Sequence, residues 1–364
     1  MGTAESAGRG QVSAVQAAGV SVWLDDLDRS RLVSGSLRAL VDAGIITGVT
    51  TNPAIFAKAI SHGGDAYSEA LDAAALAGWD ADRTVHELVI ADVQRACEVL
   101  ADVYSATGSR DGFVSIEVDP RLAHDSEGTI QAARHLWSEV DRPNVMIKIP
   151  ATREGLPAIT AALADGINVN VTLIFSRERF AEVRAAHRAG LDAARAAGRD
   201  LSTIASVASF FVSRLDTAVD PALEASPLAG TTAVANARAA YDEFTQDLGR
   251  HEWQSLHGAG AQPQRPLWAS TGTKNAAYSP IKYVEELLTA DSVNTMPAAT
   301  LDALLAADSL TSAVESLDPA EAFAAAGIDQ TDVMDRLERE GVDAFVTAWV
   351  DLIADVERQL AARR

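Results

Sequence analysis

Eight short strand-like runs recur along the chain, and a helix-like segment follows each of them. The runs are SVWLD (21–25), ITGVTTN (46–52), GFVSIEV (112–118), NVMIKIP (144–150), INVNVTLIF (167–175), STIASVAS (202–209), PLWAST (266–271) and SVNTMP (292–297). Strands that alternate with helices become parallel neighbours, because a parallel pair needs a crossover connection. Eight such units in 364 residues favour an α/β fold of the closed (β/α)8 type, the TIM barrel. An open doubly wound sheet normally carries a glycine-rich phosphate turn after its first strand. Here the first strand runs instead into DDLDRSRL. The expected organisation is one barrel domain over 1–364. It has a tail or helix at 1–20, extra helices after strands two and six, and a helical segment at 301–364 that packs on the barrel.

The intervening segments carry helix signals of their own. DSEGTIQAARHLWSEV opens on Asp125 and Ser126, both good N-caps. SRERFAEVRAAHRAGLDAARAAG places small or apolar residues at helical spacing and closes on Gly198.

Alternation along each strand sorts its residues onto two faces. In NVMIKIP, Val145, Ile147 and Ile149 oppose Met146 and Lys148. In INVNVTLIF, Val169, Val171 and Leu173 oppose Asn168, Asn170 and Thr172; in GFVSIEV, Val114, Ile116 and Val118 oppose Phe113, Ser115 and Glu117. In SVWLD, Val22 and Leu24 oppose Trp23 and Asp25. The branched aliphatic faces suit packing beneath outer helices, which leaves the mixed faces to line the interior. Asp25, Glu117, Lys148, Asn170 and Thr172 then gather inside, toward the C-terminal strand ends where barrel active sites are built. Asn52 and Ser209 fit the same rim, and Asp26 should point away from it.

Lys148 therefore sits among apolar residues, where an unpartnered ammonium is rare. Two readings are open. It is a structural cation paired with Glu117 or Asp25, or it is a nucleophile that forms a Schiff base with a carbonyl substrate. The second needs the amine uncharged. A free lysine is neutral in roughly one molecule in a few thousand at pH 7, and a dry surrounding favours that form. Asp25 or Glu117 could move protons beside it, and Asn52 and Asn170 could bind hydroxyls as donors and acceptors.

Composition narrows the partners. The net charge of -21 argues against nucleic acid or an anionic membrane bound through a broad basic face. A small anionic substrate remains open, because two or three local cations outweigh the global field at short range. No apolar run reaches the length of a membrane span. The one cysteine, Cys97, rules out a disulfide within the chain. It lies at helical spacing among apolar residues, as a core residue does. A cytoplasmic location is expected. The seven histidines (His62, His86, His124, His135, His187, His251 and His257) are scattered, and no H-x-H or H-E-x-x-H occurs. That disfavours zinc-dependent aldol chemistry.

Seven stretches, WLDD, GVTTNPAIF, SIEVDPRLAHD, VMIKIPATREG, NVNVTLIFS, ASFFVSRLD and ASTGTKN, together resemble the transaldolase family of class I aldolase-type transferases. They cover roughly residues 20–300 in the family's order. The resemblance implies an enzyme without a cofactor that acts on sugar phosphates in the non-oxidative pentose phosphate pathway, as a monomer or homodimer. It implies that Lys148 forms the Schiff base, Asp25 is the acid/base at the C4 hydroxyl, and Glu117 with Thr172 places the water. It assigns Asn52, Asn170 and Ser209 to the dihydroxyacetone unit, and Arg214, Ser270 and Lys274 to phosphate. Family members commonly place a serine and an arginine two apart after the seventh strand; here Thr271-Gly272-Thr273 separates Ser270 from Lys274. Taken alone, Arg214 has a second reading as a solvated residue at a helix start, and Phe211 is either a border of the site or a core aromatic. A simple aldolase that releases the donor unit, and a barrel that binds sugar phosphates without turnover, are the competing functions.

Overall fold

The computed structural model describes residues 2–62, 64–224, 226–311 and 318–364; Met1, at the head of the expected N-terminal segment, and 312–317, within the expected C-terminal one, lie outside them. Eight strands form one closed parallel barrel in sequence order. They are β1 Val20–Asp25, β2 Gly48–Thr50, β3 Val114–Glu117, β4 Val145–Pro150, β5 Val169–Ile174, β6 Ser206–Phe211, β7 Arg265–Ala269 and β8 Ser292–Met296. Closure runs through β1 and β8, where Val20 pairs with Ser292 and Leu24 with Met296.

The two-face pattern explains this arrangement. Val22, Leu24, Val114, Ile116, Val145, Ile147, Ile149, Val169 and Val171 are all buried, as expected for strands covered by helices on one face and by barrel contents on the other. The interior is filled in layers, as small barrels require. Trp23 occupies the middle of the barrel, and its ring explains Gly48. A Cβ at that glycine would lie 2.5 Å from the indole, so any larger residue would push the two strands apart.

The helices that follow β3, β4 and β5 are Ser126–Val140, Gly155–Ala164 and Arg177–Ala196. Asp125 caps the first by accepting from the Gly128 N–H at 3.0 Å. The expected insertions are present. Pro53–His62, Ser68–Leu76 and Ala81–Ala106 follow β2; Ser213–Val219, Thr232–Leu248 and His251–His257 follow β6. Cys97 is fully buried in the core.

Most strand ends fall one or two residues from the sequence expectation, and two of the shifts have a clear local cause. The sixth strand starts at Ser206 rather than 202, because Asp200 accepts from the backbone and side chain of Ser202 and ties Leu201–Thr203 into a tight turn. The second is trimmed to Gly48–Thr50 because the chain turns there into a helix that Asn52 caps.

Beyond β8 come Ala298–Ala306, Pro319–Ala326 and the 32-residue helix Gln330–Ala361. At 1.5 Å per residue that last helix is about 48 Å long, long enough to cross the whole barrel mouth. Arg179 holds it on one side through Glu338 at 3.1 Å. On the other, His86 meets Trp349 edge-on at 5.3 Å. Gly341 makes a close approach, where a Cβ would lie 3.0 Å from Leu173 and 3.4 Å from the Arg214 guanidinium.

Candidate active site

Strand register brings the central side chains together. Glu117 pairs with Lys148 across β3 and β4, and Lys148 pairs with Asn170 across β4 and β5. Three inward-facing groups from three consecutive strands thus stand side by side. Asp25, at the end of β1, lines the same cavity as Lys148.

Lys148 is only 4% exposed. Its Nζ donates to the Thr51 carbonyl at 2.8 Å and lies 3.4 Å from Glu117 Oε1. Neither Glu117 oxygen is aligned for a hydrogen bond with a protein group, and the buried hydroxyl of Thr172 is also without a partner. Burial pushes the Glu117 carboxyl up to about 7, with the charge of Lys148 pulling the other way. Burial raises Asp25 above the ordinary aspartate range as well; Lys148 and a hydrogen bond from Thr50 oppose the shift. That bond is 2.6 Å long, and the Thr50 hydroxyl lies 2.7 Å from that of Thr295. The Asp25 carboxyl is therefore oriented from β2 and β8.

Asn170 is held at both ends of its amide. Its Nδ2 donates to Ser115 at 2.9 Å, and its Oδ1 accepts from Ser209 at 2.7 Å. One N–H and one lone pair remain for a ligand. Asn52 accepts from the Ile55 N–H at 3.0 Å, which leaves its amide nitrogen directed to other partners.

Beside them lies a cavity of about 220 Å³ at the C-terminal end of the barrel, lined by Asp25, Asn52, Lys148, Ser209, Phe211, Arg214, Ser270 and Lys274. Arg214 stands at the start of the helix after β6, 5.3 Å above the Phe211 ring. Among the described residues no carboxylate pairs with its guanidinium, and burial lowers its pKa. It is a cation ready for an anionic ligand. Ser270 adopts a left-handed backbone with φ 54°, and its hydroxyl lies 2.9 Å from that of Ser213. That conformation is uncommon outside glycine and turns the loop after β7 toward Arg214. Lys274 is exposed at the cavity mouth. All of the expected site residues except Glu117, Thr172 and Asn170 line this cavity directly; Asn170 lies fully buried behind Lys148 and Ser209. Glu117 borders a second, much smaller one of about 10 Å³, with Pro150, Leu173, Val342 and Phe345.

Three groups of contributors were not singled out from the sequence. Thr50 and Thr295 orient Asp25, and the same alternation, applied to β2 and β8, would have found them. The Thr51 carbonyl grips Lys148, and a backbone group leaves no residue-type signal. Ala344 and Phe345 reach the cavity from the C-terminal helix; an amphipathic pattern shows that a helix has a buried face, not what it covers.

The family profile described as Transaldolase/Fructose-6-phosphate aldolase matches residues 22–356. The chain is 52% identical over 360 residues to the transaldolase of Thermobifida fusca (strain YX), covering 95% of this chain and 97% of the relative. It is 49% identical over 359 residues to that of Saccharopolyspora erythraea, covering 96% and 97%. With that of Mycobacterium leprae it shares 50% over 362 residues, covering 96% of each. The chain belongs to the transaldolase/fructose-6-phosphate aldolase family.

Proposed function

We propose that this enzyme is a transaldolase that moves a dihydroxyacetone unit between sugar phosphates through a Schiff base on Lys148. The donor is a ketose phosphate such as sedoheptulose 7-phosphate or fructose 6-phosphate. The acceptor is an aldose phosphate, glyceraldehyde 3-phosphate or erythrose 4-phosphate.

The Lys148 amine adds to the donor's C2 carbonyl, and the carbinolamine loses water to give an imine. Glu117, whose carboxyl titrates near 7, supplies and removes protons in that exchange. Its oxygens and the Thr172 hydroxyl are buried without hydrogen bonds, and such groups suit a bound water. Asp25 then takes the proton of the C4 hydroxyl. The C3–C4 bond breaks, the aldehyde leaves, and its electron pair is held as an enamine on the lysine. The acceptor's carbonyl carbon takes up that pair, its oxygen recovers the proton from Asp25, and hydrolysis of the new imine frees the product. Asn52, Asn170 and Ser209 bind the hydroxyls of the three-carbon unit. Arg214 grips the phosphate as a two-pronged donor, with Ser270 and Lys274 beside it.

One observation carries the reading. A nearly enclosed amine stands in register between a carboxyl and a pinned amide, and shares a cavity with Asp25 and an unpaired arginine. Borohydride reduction with fructose 6-phosphate should leave a stable adduct that peptide mapping places on Lys148. An adduct on another residue, or none, refutes the assignment. The second reading is an aldolase that releases the unit. Incubation with fructose 6-phosphate alone separates the two, since steady accumulation of free dihydroxyacetone marks the aldolase.

A further inference from the structure

Phe345 touches both cavities of the site. On one side its ring lines the substrate cavity, 5.7 Å from Lys148 Nζ. On the other it lines the small cavity beside Glu117. That small space, about 10 Å³, is at the lower limit for one water molecule. The ring is 7% exposed, and its helix is fixed by the Gly341 contact and the Arg179–Glu338 pair. A phenyl ring moves no protons and makes no strong hydrogen bond. What it does at this position is exclude solvent.

We propose that Phe345 is a positioning residue that sets transfer against release, by walling the enamine off from water and solvent protons. The inference rests on the Schiff-base reading of Lys148. Once the aldehyde has left, the enamine has two fates. In transfer, its nucleophilic carbon bonds to the acceptor's carbonyl carbon, and the oxygen formed there takes a proton. In release, the same carbon takes a proton from solvent; the imine then adds water, frees dihydroxyacetone and returns the amine. Both routes end with hydrolysis at the imine carbon, for which Glu117 is the proposed proton-transfer group. Only release needs a proton delivered to the enamine carbon before an acceptor arrives. With the ring in place, Phe345 stands between the small cavity beside Glu117 and the substrate cavity that holds Lys148. Removing the ring joins the two cavities.

The test compares wild type, Phe345→Leu and Phe345→Ala in D2O, with fructose 6-phosphate and an acceptor aldehyde. The readout is the ratio of free dihydroxyacetone to transfer product, and the deuterium in the dihydroxyacetone. Phe345→Ala should raise the ratio about tenfold, equivalent to ~1.4 kcal/mol between the two barriers, with solvent deuterium in the released product. Phe345→Leu, which keeps most of the apolar bulk, should raise it less, and it carries the test if the alanine variant does not fold. A merely structural role would slow both routes together and leave the ratio flat; that result, with borohydride trapping at Lys148 intact, overturns the proposal and leaves the Schiff base standing. Trapping lost only in the variants also overturns it, since the ring would then hold the lysine rather than exclude solvent. Trapping absent in wild type refutes the Schiff base, and the partition with it.

Discussion

At the N-terminal end of the barrel Arg265 meets Asp111 at 3.3 Å, and at the C-terminal end Lys148 meets Glu117 at 3.4 Å. Both pairs are buried and nearly equal in separation, yet their surroundings differ. Asp111 also accepts from Trp23 at 2.9 Å and from Ser21 at 2.7 Å. Arg265 donates to the carbonyls of Arg110 and Ser292 and to the Ser21 hydroxyl. Both carboxylate oxygens are used, and the network plugs the barrel floor. At the opposite end neither oxygen of Glu117 accepts a hydrogen bond, the larger cavity opens beside Lys148, and the smaller one beside Glu117. A buried ion pair alone therefore says little about function. The floor pair leaves only the Arg265 Nε without a partner, whereas the proposed catalytic end leaves both oxygens of its carboxylate unbonded beside space for a ligand.

Replacing the lysine tests that contrast most severely. Lys148→Arg keeps a cation beside Glu117 but gives up the nucleophile, since arginine is not deprotonated in proteins. Activity should vanish and borohydride trapping with it, while the fold, followed by circular dichroism, persists. Retention of most of the activity would make Lys148 the counterpart of Arg265, a structural cation.

Glu117→Gln should lower kcat by about 100-fold or more, within the range for removing a positioned acid/base. It also separates the two ends by pH. The Glu117 carboxyl ionises at 4.5 when unperturbed and holds its proton to about 7 in the fold. Between those values the folded state binds the extra proton, so this group's effect is to lower stability as pH rises from about 4.5 to about 7, with no further change above. The Tm of Glu117→Gln relative to wild type should climb through that window and then level off. A difference that does not change with pH would show that burial does not hold the proton on Glu117.

Arg214→Lys should have a smaller effect. Lysine keeps the charge but not the paired donors, and a hydrogen bond to a charged group contributes about 1.5–3 kcal/mol. The expected rise in KM for a phosphorylated donor is therefore on the order of 10- to 100-fold, with kcat less affected and an unphosphorylated ketose insensitive. An equal loss with both donors would place Arg214 outside the phosphate subsite.

Much of this contrast was legible in the sequence, because period-two alternation is local. It put Asp25, Glu117, Lys148, Asn170 and Thr172 on the inward face, and the barrel's register then made neighbours of Glu117, Lys148 and Asn170. Ser115 and Ser209, which pin Asn170, sit on the same inward faces of their strands. The pattern stops at the strand ends. Asp200 draws the chain into a turn where STIAS reads as a strand, and the left-handed Ser270 leads the following loop in a direction that no alternation encodes. Phe345 was invisible for a different reason. It arrives on a helix far downstream, and only tertiary packing decides that this helix lies across the barrel mouth.

The smallest effect on chemistry should come from the barrel floor. Arg265→Met leaves Asp111 buried without its cation and should lower stability by about 3–5 kcal/mol, the usual result of breaking one side of a buried pair. Arg265 and Lys148 share no hydrogen-bond partner among the described residues. Sites so separated couple by only ~0.3–0.5 kcal/mol, so kcat/KM per folded molecule should stay within about twofold of wild type. A larger loss would expose a path between the ends, and Trp23 is a structural candidate for it. Its indole donates to Asp111 below, its ring abuts Gly48 at the barrel's centre, and Asp25 stands two residues on along the same face of β1. If Arg265→Met weakened turnover while trapping at Lys148 persisted, the displaced group would be Asp25 rather than the nucleophile. The floor of the barrel would then set the position of the acid/base as well as the stability of the fold.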